Sequence, residues 1–159
     1  MSIIFLNCGS VAAAIFFAYY YDHINTKYVL PGNITSDGFV LTRLLTKYIE
    51  PGGVKSIPAT LKSGMNTYLK NLLLSDQVTY VTTSNLLTTP FNKVMSSINS
   101  QVPCIISIVN HLEYENHWVV ETGYDNNTGD YDFVTVNDGW GHTGISISVS
   151  YIYATLYMD

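Results

Sequence analysis

Charge is what this sequence has least of. Charged residues are 12% of the 159, about half the usual share, and 7 Lys plus Arg face 12 Asp plus Glu for a net charge of −5. A nucleic-acid binder needs a basic face to displace counterions from phosphates, so the balance argues against that class. Arg43 is the only arginine, which argues against a bidentate phosphate clamp. Cysteine is scarce too. Cys8 and Cys104 make neither a disulfide framework nor a zinc site, though one disulfide stays open if the fold joins them. Cys104 sits inside the apolar run 104–109 and reads as a buried core thiol. Asn, Ser and Thr supply 43 residues, so the surface is neutral and polar, which favours an extracellular or cell-surface setting. With 47% hydrophobic and 13% aromatic residues, burial can offset the ordering entropy, and disorder is excluded.

The N-terminus also lacks what its apolar character first suggests. Residues 3–21 are apolar, yet no Lys or Arg precedes Lys27, and Asn7-Cys8-Gly9-Ser10 interrupts the run. A signal peptide needs a positive start and a small-residue cleavage site. A spanning helix needs roughly twenty apolar residues, and this stretch ends in three tyrosines, Asp22 and His23. The expectation is therefore no membrane span, but a loop over residues 7–10 feeding a buried helix from about Gly9 to His23.

Helical signals fill the first half and strand signals the second. Ser36 or Asp37 caps a second helix carrying Val40, Leu41, Leu44, Leu45, Tyr48 and Ile49, and Pro51-Gly52-Gly53 ends it. Pro58 opens a third helix with Leu61, Met65, Tyr68, Leu69 and Leu72 on one face. A strand over 77–82 and a short helix from Pro90 follow. Strands are expected at 103–109, 117–124, 131–137 and 145–149, with a hairpin connection at 125–130. The reading is a single α+β domain over residues 1–159, N-terminal helices packed on a C-terminal antiparallel sheet.

Chemistry enters through Cys8. A thiol is a strong nucleophile near neutral pH only as thiolate, which a helix N-terminus and a nearby imidazolium both favour. Cys8 stands where the first helix begins, with Gly9 allowing close approach of another backbone. His117, 109 residues later, opens the strand His-Trp-Val-Val-Glu-Thr-Gly-Tyr. If that strand pairs with the next as a hairpin, Asn137 or Asp138 comes within reach of the His117 ring and can fix its tautomer.

These motifs resemble those of papain-like cysteine peptidases, in particular the bacteriocin-processing (double-glycine) type. Asn7-Cys8-Gly9-Ser10-Val11-Ala12-Ala13-Ala14, ahead of Tyr19-Tyr20-Tyr21-Asp22, is similar to the Cys-Gly-Pro and small residues that open their first helix. His117-Trp118-Val119-Val120 before Gly123-Tyr124 is similar to their histidine strand. Val136-Asn137-Asp138-Gly139-Trp140-Gly141 resembles both their Asp-ending strand and the Asn-Ser-Trp-Gly segment of papain. The resemblance implies Cys8 as nucleophile, His117 as base and Asp138 as its orienter. Asn7, Gly9, Trp118 and Trp140 are the residues expected to bind substrate, and the two tryptophans read equally as core aromatics or as cleft walls that exclude water and bind peptide.

Two positions depart from that pattern. Ser10 stands where proline follows Cys-Gly. The oxyanion-hole glutamine that the family carries about five or six residues before the cysteine is replaced by Ile3 or Ser2, and loss of one such donor commonly costs about 10²–10³ in rate. Either the chain starts inside the domain, after an upstream propeptide or other domain, or Asn7 or Ser2 substitutes in part, or the enzyme is weak or dead. His23 reads as a helix-end histidine, His111 as part of a polar turn, and His142 as the one other credible base. Glu113, Glu115 and Glu121 form no metalloprotease spacing with the histidines, so no metal and no cofactor are expected. The function expected is peptide or protein hydrolysis through a thioester. The alternatives are acyl transfer or deamidation by the same chemistry, or a peptide-binding module without catalysis.

Overall fold

The computed structural model describes residues 7–125 and 132–159. Among the described residues, four α-helices and a six-stranded antiparallel sheet make an α+β fold. The chain divides into two compact units, 1–79 with 158–159, and 80–157.

The first unit holds three helices. Helix α1, Cys8–His23, buries Ala12, Ala13, Ala14, Phe16, Phe17 and Tyr20. Its apolar residues surround the axis instead of forming one stripe, which is the signature of a helix covered on most sides. Among the described residues no helix is long and apolar enough to cross a membrane. The loop expected over residues 7–10 is shorter than the sequence suggested: the helix already begins at Cys8 and only Asn7 stands before it. Phe17 packs on Tyr68 of α3, ring centroids 4.7 Å apart, and the Tyr68 hydroxyl donates to the Tyr28 carbonyl at 2.8 Å.

Helix α2, Phe39–Ile49, starts behind Gly38, whose φ of 68° a glycine adopts without strain. The N-cap is Gly38 itself, where the sequence suggested Ser36 or Asp37, and it makes no side-chain cap bond; Asp37, one residue earlier, accepts from the Phe39 amide through Oδ1 at 3.0 Å. Helix α3, Pro58–Asn71, opens on proline as expected and packs against α2. Gly64 makes that approach possible, since a Cβ there would lie 2.6 Å from Ile49 Cγ1 and 2.7 Å from the Tyr48 carbonyl oxygen. One of those atoms is backbone and cannot step aside. Gly64→Ala is therefore expected to destabilise by on the order of 2 kcal/mol through overpacking, despite the better helix propensity of alanine. A urea unfolding midpoint that stays put would contradict this.

Strand β1, Val78–Thr82, and helix α4, Pro90–Asn99, follow, the latter capped by Thr89, whose Oγ1 accepts from the Asn92 amide. Then come β2, Ile105–His111; β3, Glu115–Asp125; β4, Phe133–Asn137; β5, Ile145–Ser148; and β6, Ile152–Met158. The sheet order is β1-β6-β2-β3-β4-β5. The pairs β2–β6, β2–β3, β3–β4 and β4–β5 are antiparallel. The hairpin expected at 125–130 falls, beyond Asp125, outside the described residues. Strand β6 was not foreseen, and its insertion between β1 and β2 makes β2 an interior strand. Its faces are covered as well, since the consecutive residues Ile105, Ile106, Ser107 and Ile108 are all buried. Val94 of α4 joins Cys104, Ile106, Ile108, Val119, Val134, Val136 and Ile147 in one core cluster.

Candidate active site

Cys8, Asn7 and Gly9 belong to the first unit, His117, Trp118, Asp138 and Trp140 to the second. Cys8 is the first residue of α1 and half-buried. Asn7 precedes it as N-cap, its carbonyl accepting the first helical bond from Val11 at 3.0 Å, but its side chain makes no cap bond. The leading amides of a helix need acceptors, and here they come from 40 residues away. Glu50, just past the end of α2 and fully buried, accepts from the Gly9 amide at 3.2 Å and the Ser10 amide at 3.1 Å. It also accepts from the Ser10 hydroxyl at 2.6 Å and the Ser56 hydroxyl at 3.0 Å. Gly9 is confined by this cluster: a Cβ there would collide with Ser56 Oγ and stand 3.0 Å from Glu50 Oε1. The close approach that the glycine permits is thus by side chains, where the sequence suggested a backbone. Nothing in the local pattern marks Glu50, which ends an amphipathic helix as any surface glutamate would.

In the second unit the ladder brings His117 to Asp138. Val120 of β3 pairs with Asn137 of β4, so at this end of the ladder His117, three residues earlier, lies beside the 138–140 segment that follows β4. The contact differs in kind from a carboxylate–imidazole pair. His117 Nε2 lies 2.7 Å from the Asp138 main-chain carbonyl oxygen. A carbonyl only accepts, so Nε2 carries the proton and, in the neutral ring, Nδ1 is the basic nitrogen. Burial pushes the His117 pKa below the ordinary value, against the opposing pull of the Asp138 carbonyl and charge.

The Asp138 carboxylate is engaged elsewhere. Its Oδ1 accepts from the Trp140 amide at 2.7 Å and the His142 amide at 3.1 Å. Its Oδ2 meets His142 Nδ1 at 2.7 Å and accepts from the Tyr114 hydroxyl at 3.2 Å. Burial pushes this carboxyl up, but those donors outweigh it and hold the pKa below the usual aspartate value. The Tyr114 hydroxyl, desolvated and facing Asp138, is pushed up to about 12 and remains a donor. The carboxylate therefore folds the turn 138–142 on itself, and the folded turn aims the carbonyl at His117.

Aromatic rings complete the setting of the imidazole. Tyr114 stacks on His117, 5.6 Å between centroids and 10° between planes, and Trp140 lies 4.3 Å away at 33°. Trp118, next to His117 on the strand, is buried. His142 keeps 65% of its side chain exposed although Asp138 holds one ring nitrogen. His111 accepts from the Glu113 and Tyr114 amides through Nδ1 and shapes the β2–β3 turn, and His23 is exposed at the end of α1. Among the described residues neither cysteine forms a disulfide, and Cys104 is buried. Among the described residues no cluster of His, Cys, Asp and Glu could hold a metal ion. Ile3 and Ser2, the positions of the expected oxyanion glutamine, lie outside the described residues. Tyr114 and Glu50 escaped the sequence reading, since neither sits in a motif and each acts through a tertiary contact.

A family model described as Peptidase_C39 like family matches residues 7–151. No curated protein and no solved structure matches the chain. The match covers Cys8, the His117 strand and the Asp138 turn together, and the chain belongs to the Peptidase_C39-like family, a family of cysteine peptidase-type domains.

Proposed function

We propose that this domain is an active cysteine peptidase in which Cys8 is the nucleophile, His117 the general base and acid, and Asp138 the residue that orients His117. The observation that carries the reading is the His117 Nε2 contact with the Asp138 carbonyl at 2.7 Å, which leaves Nδ1 as the nitrogen able to take a proton from a thiol. Family membership and the place of Cys8 at the first turn of α1 support it.

The chemistry follows in balanced steps. The Cys8 thiol gives its proton to His117 Nδ1, and Sγ bonds to the carbonyl carbon of the scissile amide. The oxyanion is stabilised by the Cys8 amide as one donor. His117 returns the proton to the amide nitrogen as the C–N bond breaks, which frees the amine and leaves a thioester. Water, deprotonated by His117, then attacks the thioester carbon. The acid product departs and the thiol is restored. The substrate class proposed is a peptide or protein, met outside the cell or at its surface.

A second reading, a peptide-binding module without catalysis, draws on Glu50, which puts a negative charge at the helix end where the thiolate must form. One experiment separates the two. Cys8 alkylation by iodoacetamide is followed against pH by peptide mass spectrometry, with Cys104 as internal control and His117→Ala as comparison. The peptidase reading expects fast labelling below neutral pH that disappears in the variant. A Cys8 that titrates near the ordinary thiol value of about 8.5 in both proteins would sink it.

A further inference from the structure

We infer that Glu50 is a positioning residue for Cys8, tying down the first turn of α1 and setting a negative charge against the helix end on which the thiolate depends. The inference rests on the reading of Cys8 as nucleophile.

Its geometric half is direct. The carboxylate takes the amides of the two residues that follow Cys8 and two hydroxyls, Ser10 and Ser56, all within 3.2 Å. Ser56 Oγ lies so close to Gly9 that a larger residue beside the nucleophile would have to displace the Ser56 hydroxyl. Cys8 thus stands on a turn fixed from two sides, by the end of α2 and by the segment before α3.

Its electrostatic half follows from what surrounds the carboxylate. The positive end of a helix acts as roughly half an elementary charge and favours an anion such as a thiolate. Glu50 delivers a full negative charge to the same amides. Its hydrogen-bond partners among the described residues are two amides and two hydroxyls, with no lysine, arginine or histidine and no second carboxylate. Nothing on α1, on α2 or in the Ser56 segment bonds to it that could neutralise it. An ordinary neutral cap, such as the Asn7 side chain could have offered, would hold the turn without this opposition. The consequence is a first turn that favours an anion at Cys8 less than a neutral cap would.

The test uses the full chain and the alkylation midpoint of Cys8, with labelling of Cys104 reporting loss of the fold. Glu50→Gln keeps the shape and removes the charge. The Cys8 midpoint should fall by about one pH unit, which is tenfold more thiolate below the midpoint. The same fall should occur in a His117→Ala background, because Glu50 acts on Cys8 and not through the imidazole. A purely structural clamp would instead loosen the turn and raise labelling equally at every pH; a midpoint that stays or rises therefore overturns the inference. Should Glu50→Gln expose Cys104, Ser56→Ala replaces it. With one donor gone the carboxylate bears harder on α1, so the midpoint should rise, and an unmoved midpoint overturns the inference there too. If wild-type Cys8 titrates as an ordinary thiol with or without His117, the peptidase reading fails by itself, while the Glu50 comparison still reads out.

Discussion

Alanine at Cys8 or at His117 is expected to remove peptide hydrolysis to a similar extent, on the order of 10⁶-fold in kcat, because a nucleophile and its base act as one unit. Asp138→Asn should do far less, with a loss of about tenfold. The argument is geometric. The ring of His117 is held by the main-chain carbonyl of residue 138, which asparagine keeps. The Asn Oδ1 still accepts from the Trp140 and His142 amides, and its Nδ2 faces Tyr114 and His142, each able to accept in place of donating. Where a carboxylate itself fixes a catalytic histidine, the same exchange costs about 10⁴-fold. Parallel kcat measurements on the three variants decide the matter, and an Asp138→Asn loss as severe as that of His117→Ala would show that the carboxylate acts on the ring directly.

Glu121→Gln is expected to make the protein more stable at mildly alkaline pH and to flatten its pH dependence. Glu121 is buried on β3, accepts from the Cys104 amide at 2.5 Å through Oε2, and has no partner for Oε1 among the described residues. Burial pushes its pKa from 4.5 up to about 8, the Cys104 contacts only partly opposing it. The folded state therefore holds this proton more tightly than the unfolded chain does. Stability from the group is complete below about pH 4.5 and drains away as pH rises to about 8, where the loss reaches on the order of 5 kcal/mol at 1.36 kcal/mol per pH unit. Glutamine carries no such proton and keeps an oxygen for the Cys104 amide. Urea unfolding of both proteins near pH 5 and pH 8.5 measures the effect as a difference of differences. His117 contributes with the opposite sign, losing stability as pH falls below its ordinary value of 6.5, and it cancels between wild type and variant. The Cys104 thiol, which burial pushes well up with Glu121 adding to the rise, stays protonated in the folded state at both pH values. A variant whose advantage is the same at both pH values would mean that Glu121 is already ionised.

Two carboxylates, Glu50 and Glu121, are thus buried without an ion pair among the described residues, and they are resolved in opposite ways. Glu50 has four hydrogen-bond donors. Glu121 has one and keeps its proton instead. In a chain with only 12% charged residues, both are expensive to bury, and each lies close to a cysteine.

The sequence by itself determined the elements. Leu41, Leu45 and Ile49 on helical spacing, Pro58 and Pro90 at first turns, and the alternation through Val134 and Val136 each report on their own neighbourhood, and all four helices and the first five strands stand where those signals put them. The motifs around Cys8, His117 and Asp138 were legible for the same reason, since each is a short run of residues. Only the tertiary structure decided which atoms meet. Strand β6 enters between β1 and β2 because it completes the hydrogen bonds of two strands distant in the chain, and no local period records such a partner. Asp138 faces His117 with its carbonyl because the register of β3 on β4 and the turn closed by its own carboxylate rotate the peptide that way. Glu50 becomes the cap of α1 because packing buries it against amides 40 residues away. A buried charge takes whatever donors the fold brings to it, and that choice is written in three dimensions and not along the chain.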